Sequence, residues 1–220
     1  MSGTDDRADL PSLERGKDLS RIFAFTDGVF AIAITLLVLQ IEVPQGLTSN
    51  GQFLDELNNM FPDFFAFAIS FLVIGGYWIR HHRLMRMVRE YDQTLMVLTM
   101  FYLAWVVLIP FSSQLIGEYG TEVKLTTVFY ILNLALIGMA MSLTTRVIIK
   151  HGLGEPKYEW ELKSSLNSSW YVTAVFLLTA PIGLLLGGWT PMLWIVLMRL
   201  DPFELERRRK AREARKTQSG

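Results

Sequence analysis

Cysteine is absent from this 220-residue chain, which excludes disulfides and thiolate chemistry and leaves the compartment open. Histidine is scarce. Two of the three, His81 and His82, are adjacent, so on a helix they diverge by about 100° and cannot easily chelate one metal. The third, His151, stands before Gly152 and Gly154, where a helix-terminal role is expected. No HExxH pair and no Gly-rich phosphate loop occurs, so no enzyme, metal centre or cofactor is predicted. Net charge is zero and names no partner. Lysine and arginine are missing from residues 44–60 and 117–122.

Apolar residues are abundant, at 51%, and they cluster. A membrane span needs about 20 predominantly apolar residues to cross a hydrocarbon core of about 30 Å. Candidate spans are Ile22–Val43, Phe61–Ile79, Leu95–Ile116, Val123–Ile149, Ser169–Gly187 and a short one, Trp189–Leu200, in which Pro191 suits a first helical turn. The first 21 residues are polar and mixed in charge. The segment after them lacks the short core and cleavage site of a secretory signal, so it reads as a retained helix.

Basic residues alternate along the chain. They are absent from 44–60, dense at Arg80, Arg83, Arg86 and Arg89, absent again at 117–122, and return at Arg146, Lys150, Lys157 and Lys163. They vanish at 187–191 and dominate the tail ERRRKAREARK. This is the positive-inside pattern for six crossings with both termini in the cytoplasm. A five-helix reading would place the basic tail outside. The expected fold is an all-α membrane protein: a cytoplasmic segment at 1–21, a six-helix domain at 22–200 and a basic tail at 201–220. The tail is read as a solvated helix or disordered end, with contact to anionic lipid headgroups as its alternative use. QGLTSNGQ is read as a polar external loop, and Glu155, Glu159 and Glu161 as part of a solvated linker.

On the first helix, Ile32, Leu36 and Leu39 share one face by the i, i+4, i+7 rule, with Thr35 at its edge and Phe25, Gly28 and Val29 extending it. Asp27 points nearly to the opposite side. A carboxylate in a span faces protein rather than lipid. The expected partners are His81, His82, Arg80, Arg83 and Arg21. A helix-locking ion pair and a titrating carboxylate both fit. The apolar stripe alone reads as plain helix packing.

The run RIFAFTDGVFAIAITLLVLQIEVP, 21–44, resembles the signature of the transmembrane protein 175 family of potassium channels. The matching positions are Arg21, Phe25, Asp27, Gly28, Val29, Ala31, Ile32, Ile34, Thr35, Leu36 and Leu37. Thr26 replaces a serine and keeps the hydroxyl. YWIRHHRL, 77–84, and VLIPFSSQLIGE, 107–118, resemble the family's second and third helices. The second half of the chain agrees only in hydrophobic layout.

The resemblance implies a homotetramer in the cell membrane, with the four first helices around a pore for K+. No TVGYG-like filter is present. Carried over by position, the constriction is Ile32, Leu36 and Leu39 with Thr35 adjacent, giving modest preference for potassium over sodium. Arg21, Phe25, Thr26, Asp27 and His81 fall in a structural polar network. The alternative reading is a proton-coupled secondary transporter using Asp27 and His81 as a relay; a non-transporting scaffold is a third.

Overall fold

The computed structural model describes residues 10–120, 122–187, 190, 193–194, 196–197 and 200–218. The order is α1 (Leu10–Val38), α2 (Asn50–Asn59), α3 (Phe61–Met85), α4 (Gln93–Val107), α5 (Ile109–Tyr119), α6 (Lys124–Lys150), a 3₁₀ turn (Pro156–Tyr158), α7 (Glu159–Leu186) and α8 (Pro202–Gln218). Among the described residues there is no strand, only an isolated bridge between Val88 and Gly154. Among the described residues, five helical stretches are long and apolar enough to cross a membrane, α4 and α5 together forming one of them.

Several boundaries differ from those expected. The first helix begins at Leu10, so a helix already runs through much of the presumed N-terminal segment. It stops at Val38 rather than Val43. The Gln40 and Ile41 amides close on the Leu37 and Val38 carbonyls at 3.3 Å, a tighter i→i+3 pattern. Pro44, which disfavours helical geometry at Val43, prevents any restart. The second and fifth spans extend as helix beyond the membrane-length core, to Met85 and back to Glu159.

The presumed external loop contains α2. The Ser49 side chain accepts from the Gln52 amide at 3.3 Å, while Gln52 Oε1 accepts from the Thr48 amide at 2.9 Å and hydroxyl at 2.8 Å. This reciprocal cap is the S-x-x-Q signature, hidden in a stretch that looks like a turn. Between α4 and α5, Pro110 lacks an N–H and crowds the preceding turn, and the helix breaks at Leu108.

The bundle has two distinct ends. At one, Arg21 on α1 faces Tyr91 and Met96, the strand-like bridge joins the segments after α3 and α6, and α8 docks by Arg83–Glu204. At the other, Gln40 and Ile41 approach Asp63 and Gly117, and Gly187 approaches the Gly120 carbonyl. The first end carries the four arginines of 80–89 and the basic tail. The second carries Glu42, Asp63, Glu118 and Glu122 against Lys124, whose ammonium donates to the Leu185 carbonyl at the end of α7.

The Trp189–Leu200 segment lies partly outside the described residues. Those that are described return along α7 in antiparallel order. Trp194 Nε1 donates to Thr179 Oγ1 at 3.1 Å, Tyr171 donates to the Leu197 carbonyl at 3.0 Å, and Ser168 donates to Asp201. Asp201 then starts α8, with its Oδ1 accepting from the Phe203 and Glu204 amides and Pro202 at the first helical position.

Small and polar residues hold the interior. A Cβ on Gly138 would meet Thr173 Oγ1 at 2.5 Å, and one on Gly183 would meet Ile131 at 2.9 Å, so α6 and α7 pack at close backbone approach. Ser70, Ser113 and Tyr130 join α3, α5 and α6 at 2.7 and 2.9 Å, and Asn133 donates to Ser112 at 3.1 Å. In a bilayer such bonds give directional contacts where apolar attraction between helices is weak.

Candidate functional site: the exposed face of the first helix

Along α1, Thr26, Phe30, Ala33 and Leu37 are buried against the subunit. Their spacing of four, three and four residues defines one face. The face turned away carries Phe25, Ile32, Leu36 and, just past the helix, Leu39, exposed by 51, 61, 40 and 76%. Three of the four expected stripe residues, Ile32, Thr35 and Leu36, therefore lie together on an outward helical face. Leu39 does not belong to the helix: it sits in the closing turn, where the 100° spacing no longer governs its direction. Thr35 donates its hydroxyl to the Ile32 carbonyl at 2.9 Å. With the hydroxyl proton so engaged, this exposed oxygen has lone pairs to offer and no donor.

Asp27 finds a different partner from any expected. Trp78 Nε1 donates to Asp27 Oδ1 at 2.8 Å, and the Trp78 ring lies 5.6 Å from that of His82. Among the described residues Asp27 makes no ion pair. The candidate cations are turned elsewhere. Arg80 donates to Ser168 at 3.0 Å and stands 3.9 Å from Asp201, and Arg83 pairs with Glu204 at 3.2 Å. Rotation of α3 decides this: residue 78 meets α1, whereas 80 and 83 face α7 and α8.

His81 is buried, stacked on Tyr102 at 5.0 Å with Phe30 at 6.2 Å. It joins α1, α3 and α4 through ring contact. Tyr102 donates to the Tyr77 carbonyl at 3.3 Å, and Tyr77 donates to the Leu134 carbonyl at 2.8 Å. Thr26 Oγ1 and His81 Nε2 are buried without a hydrogen-bond partner among the described residues. The presumed network thus resolves into separate contacts within one subunit: Asp27 with Trp78, His81 with Phe30 and Tyr102, and Arg21 and Phe25 beside a cavity of about 530 Å³ shared with Tyr91 and Met96. Trp78 and Tyr102 were not among the expected site residues. The signal for Trp78 was its place in YWIRHHRL, the one indole donor near the charged end of α3.

A second clasp lies outside the spans. Asp92 caps α4 through Leu95 at 2.8 Å and holds His151 Nδ1 at 2.6 Å. The Leu95 amide and His151 keep its carboxyl below the usual carboxylate range. His151 ends α6, and Gly152, at φ 65°, turns the chain so that Leu153 returns its amide to Ile148 at 3.0 Å.

A bundle of apolar helices with a buried polar seam and large apolar residues exposed on several helices, α1 among them, defines a polytopic membrane protein. The comparisons with known proteins sharpen that class. A sequence model of the family described as "Endosomal/lysosomal potassium channel TMEM175" matches residues 21–110. A potassium channel of Chryseobacterium is 30% identical over 159 residues, 71% of this chain and 77% of the relative. A potassium channel of Streptomyces collinus is 37% identical over 123 residues, which is 56% of this chain and 59% of the relative. The crystal structure of a TMEM175 homolog from Chamaesiphon minutus, a lysosomal potassium-selective channel by its description, superposes with a TM-score of 0.71. Its sequence is 27% identical, and the match covers 86% of this chain and 98% of the other. The chain belongs to the TMEM175 family.

Proposed function

We propose that this chain is one subunit of a cation channel that conducts K+ with modest preference over Na+. Four copies would surround a pore lined by α1, each crossing the membrane six times with both termini cytoplasmic in the cell membrane. The observation that carries this reading is the outward stripe of Ile32, Thr35 and Leu36 on a helix whose opposite face is buried in its own subunit. Membership in the family and the relatives' description as potassium channels support it. The antiparallel contacts of Trp194, Leu197 and Asp201 with α7 support the sixth crossing, and the concentration of basic residues at the end that holds α8 supports its cytoplasmic orientation.

The constriction would work by water exclusion. An ion without its hydration shell in an apolar ring faces a barrier of up to tens of kcal/mol by a Born estimate. Ile32 and Leu36 would therefore close the pore when dry and conduct when the ring dilates and wets. The greater dehydration cost of sodium supplies the preference. Leu39 would stand at the outer mouth rather than within the helical ring, and Thr35 would offer an oxygen between the two rings.

The test is the reversal potential of purified protein in a planar bilayer with potassium on one side and sodium on the other. A shift toward the potassium equilibrium potential with ohmic single-channel steps is the expected outcome. Absence of current together with saturating, pH-gradient-coupled uptake in vesicles would overturn it in favour of a carrier built on Asp27 and His81. Absence of both would leave a scaffold.

A further inference from the structure

The basic end of the bundle forms a half-open pocket of about 640 Å³ between α3, the start of α7 and α8. Its size is that of a small-molecule site. Trp78 and Ile79 form its apolar wall on a face of α3 that is partly open to the surroundings, while Arg83, Arg86, Arg207 and Lys210 form its charged wall.

The charge inside does not cancel. Glu204 serves both Arg83, at 3.2 Å, and Arg207, at 3.0 Å, and Glu206 holds Lys210 at 3.3 Å. Glu161 lines the cavity. Of the four lining cations, Arg83, Arg207 and Lys210 are paired by Glu204 and Glu206 from outside the lining. Arg86, at the end of α3, is exposed and has no ion-pair partner among the described residues. Lys210 lies 3.7 Å over the Trp160 ring, which fixes α8 as a roof without consuming Arg86.

We propose that this cavity binds an anionic phospholipid, with its phosphodiester on Arg86 and its glycerol and upper acyl chains against Trp78 and Ile79. Tryptophans at this level are the interface anchors of a spanning bundle. Basic pockets between spanning helices on the positively charged side recognise lipid phosphate. Arg86, a lining cation with no ion-pair partner among the described residues, fits the single negative charge of a phosphatidylglycerol-type headgroup. A soluble phosphate would use the charged wall and leave the apolar wall uncovered. The site is separate from the α1 stripe, so it stands apart from the pore reading and is not tested by ion flux.

Purified protein in mixed micelles is titrated with phosphatidylglycerol or phosphatidylcholine, and bound lipid per subunit is read by native mass spectrometry. The full chain and its Arg86→Gln and Arg86→Lys variants are compared after gel filtration shows that each is intact. Phosphatidylglycerol should bind in preference to phosphatidylcholine, Arg86→Gln should weaken it by about fivefold, as removal of one basic contact does, and Arg86→Lys should recover most of the loss. Equal retention of both lipids, or an unchanged affinity in Arg86→Gln, would overturn the site. Displacement of the lipid by an equal concentration of glycerol 3-phosphate would overturn lipid as its occupant.

Discussion

The first helix and α6 are both long apolar spans, yet they are embedded differently. Only 22% of the most apolar stretch of α1 is buried inside the subunit, against 61% for α6. Hydrophobic content is thus the same signal for two physical situations. The surface of α6 is consumed by its own chain, through Gly138 against Thr173 and the seam of Ser112, Tyr130 and Asn133. Half of α1 is left for lipid or for other copies of the chain. Folding and ion passage should therefore respond to different helices.

The strongest way to break that comparison is to overfill the α6–α7 contact. Gly138→Leu would drive a side chain into Thr173, where even a Cβ has no room. A cost of about 3 kcal/mol or more is expected, seen as loss of a monodisperse peak after detergent extraction. Normal yield and melting temperature would show that the pair is looser than the geometry implies.

On the other helix, Ile32→Asn should leave folding untouched because residue 32 is outside the subunit's packing. Single-channel conductance should rise by roughly tenfold, the effect of lowering a barrier by about 1.4 kcal/mol. Unchanged conductance would remove Ile32 from the constriction, and a lowered melting temperature would contradict its outward placement.

A smaller effect should follow from Trp78→Phe, which keeps the ring and removes the donor to Asp27. The bond involves a charged acceptor but is partly open to its surroundings, so a loss of about 1 kcal/mol is expected. It should appear as a modest fall in melting temperature that Asp27→Leu, which removes the acceptor, largely shares. Independent, additive losses in the double variant would show that the two residues do not act as a pair.

The smallest concerns the Asp92–His151 clasp. The folded-state carboxyl lies below its ordinary value of 3.8. Its contribution is therefore complete above that value and disappears as pH falls through the lowered one. Acidification from pH 5 toward pH 2.5 should lower the melting temperature of the native chain more than that of Asp92→Asn. Parallel curves would show that the clasp contributes nothing.

Much of the fold was legible because its signals are local. The apolar runs located the five long spans, and Asp201-Pro202 and His151-Gly152 mark helix ends that form as their chemistry requires. The shared face of Ile32 and Leu36 was legible from spacing alone, but its outward position was not, since such spacing by itself reads as helix packing. Leu39, read on the same face, lies past the helix end, where the Gln40 and Ile41 amides close on the Leu37 and Val38 carbonyls. The capping role of Ser49 and Gln52 was hidden in a segment whose composition resembles a turn. Asp27 was assigned to the right neighbourhood and the wrong partners.

What the sequence determined by itself is the membrane class, the family signature at 21–44, the alternation of basic loops and the existence of an apolar stripe on α1. These depend on composition and on spacing within one segment. Only the tertiary structure decided that Trp78 rather than a basic residue meets Asp27, that Arg80 and Arg83 turn to Asp201 and Glu204, and that His81 is enclosed by Phe30 and Tyr102. Helical periodicity gives the angle between residues on one helix. It leaves free the rotation and depth of each helix against the next, and those are set by the close fits at Gly138, Gly183 and the serine seam.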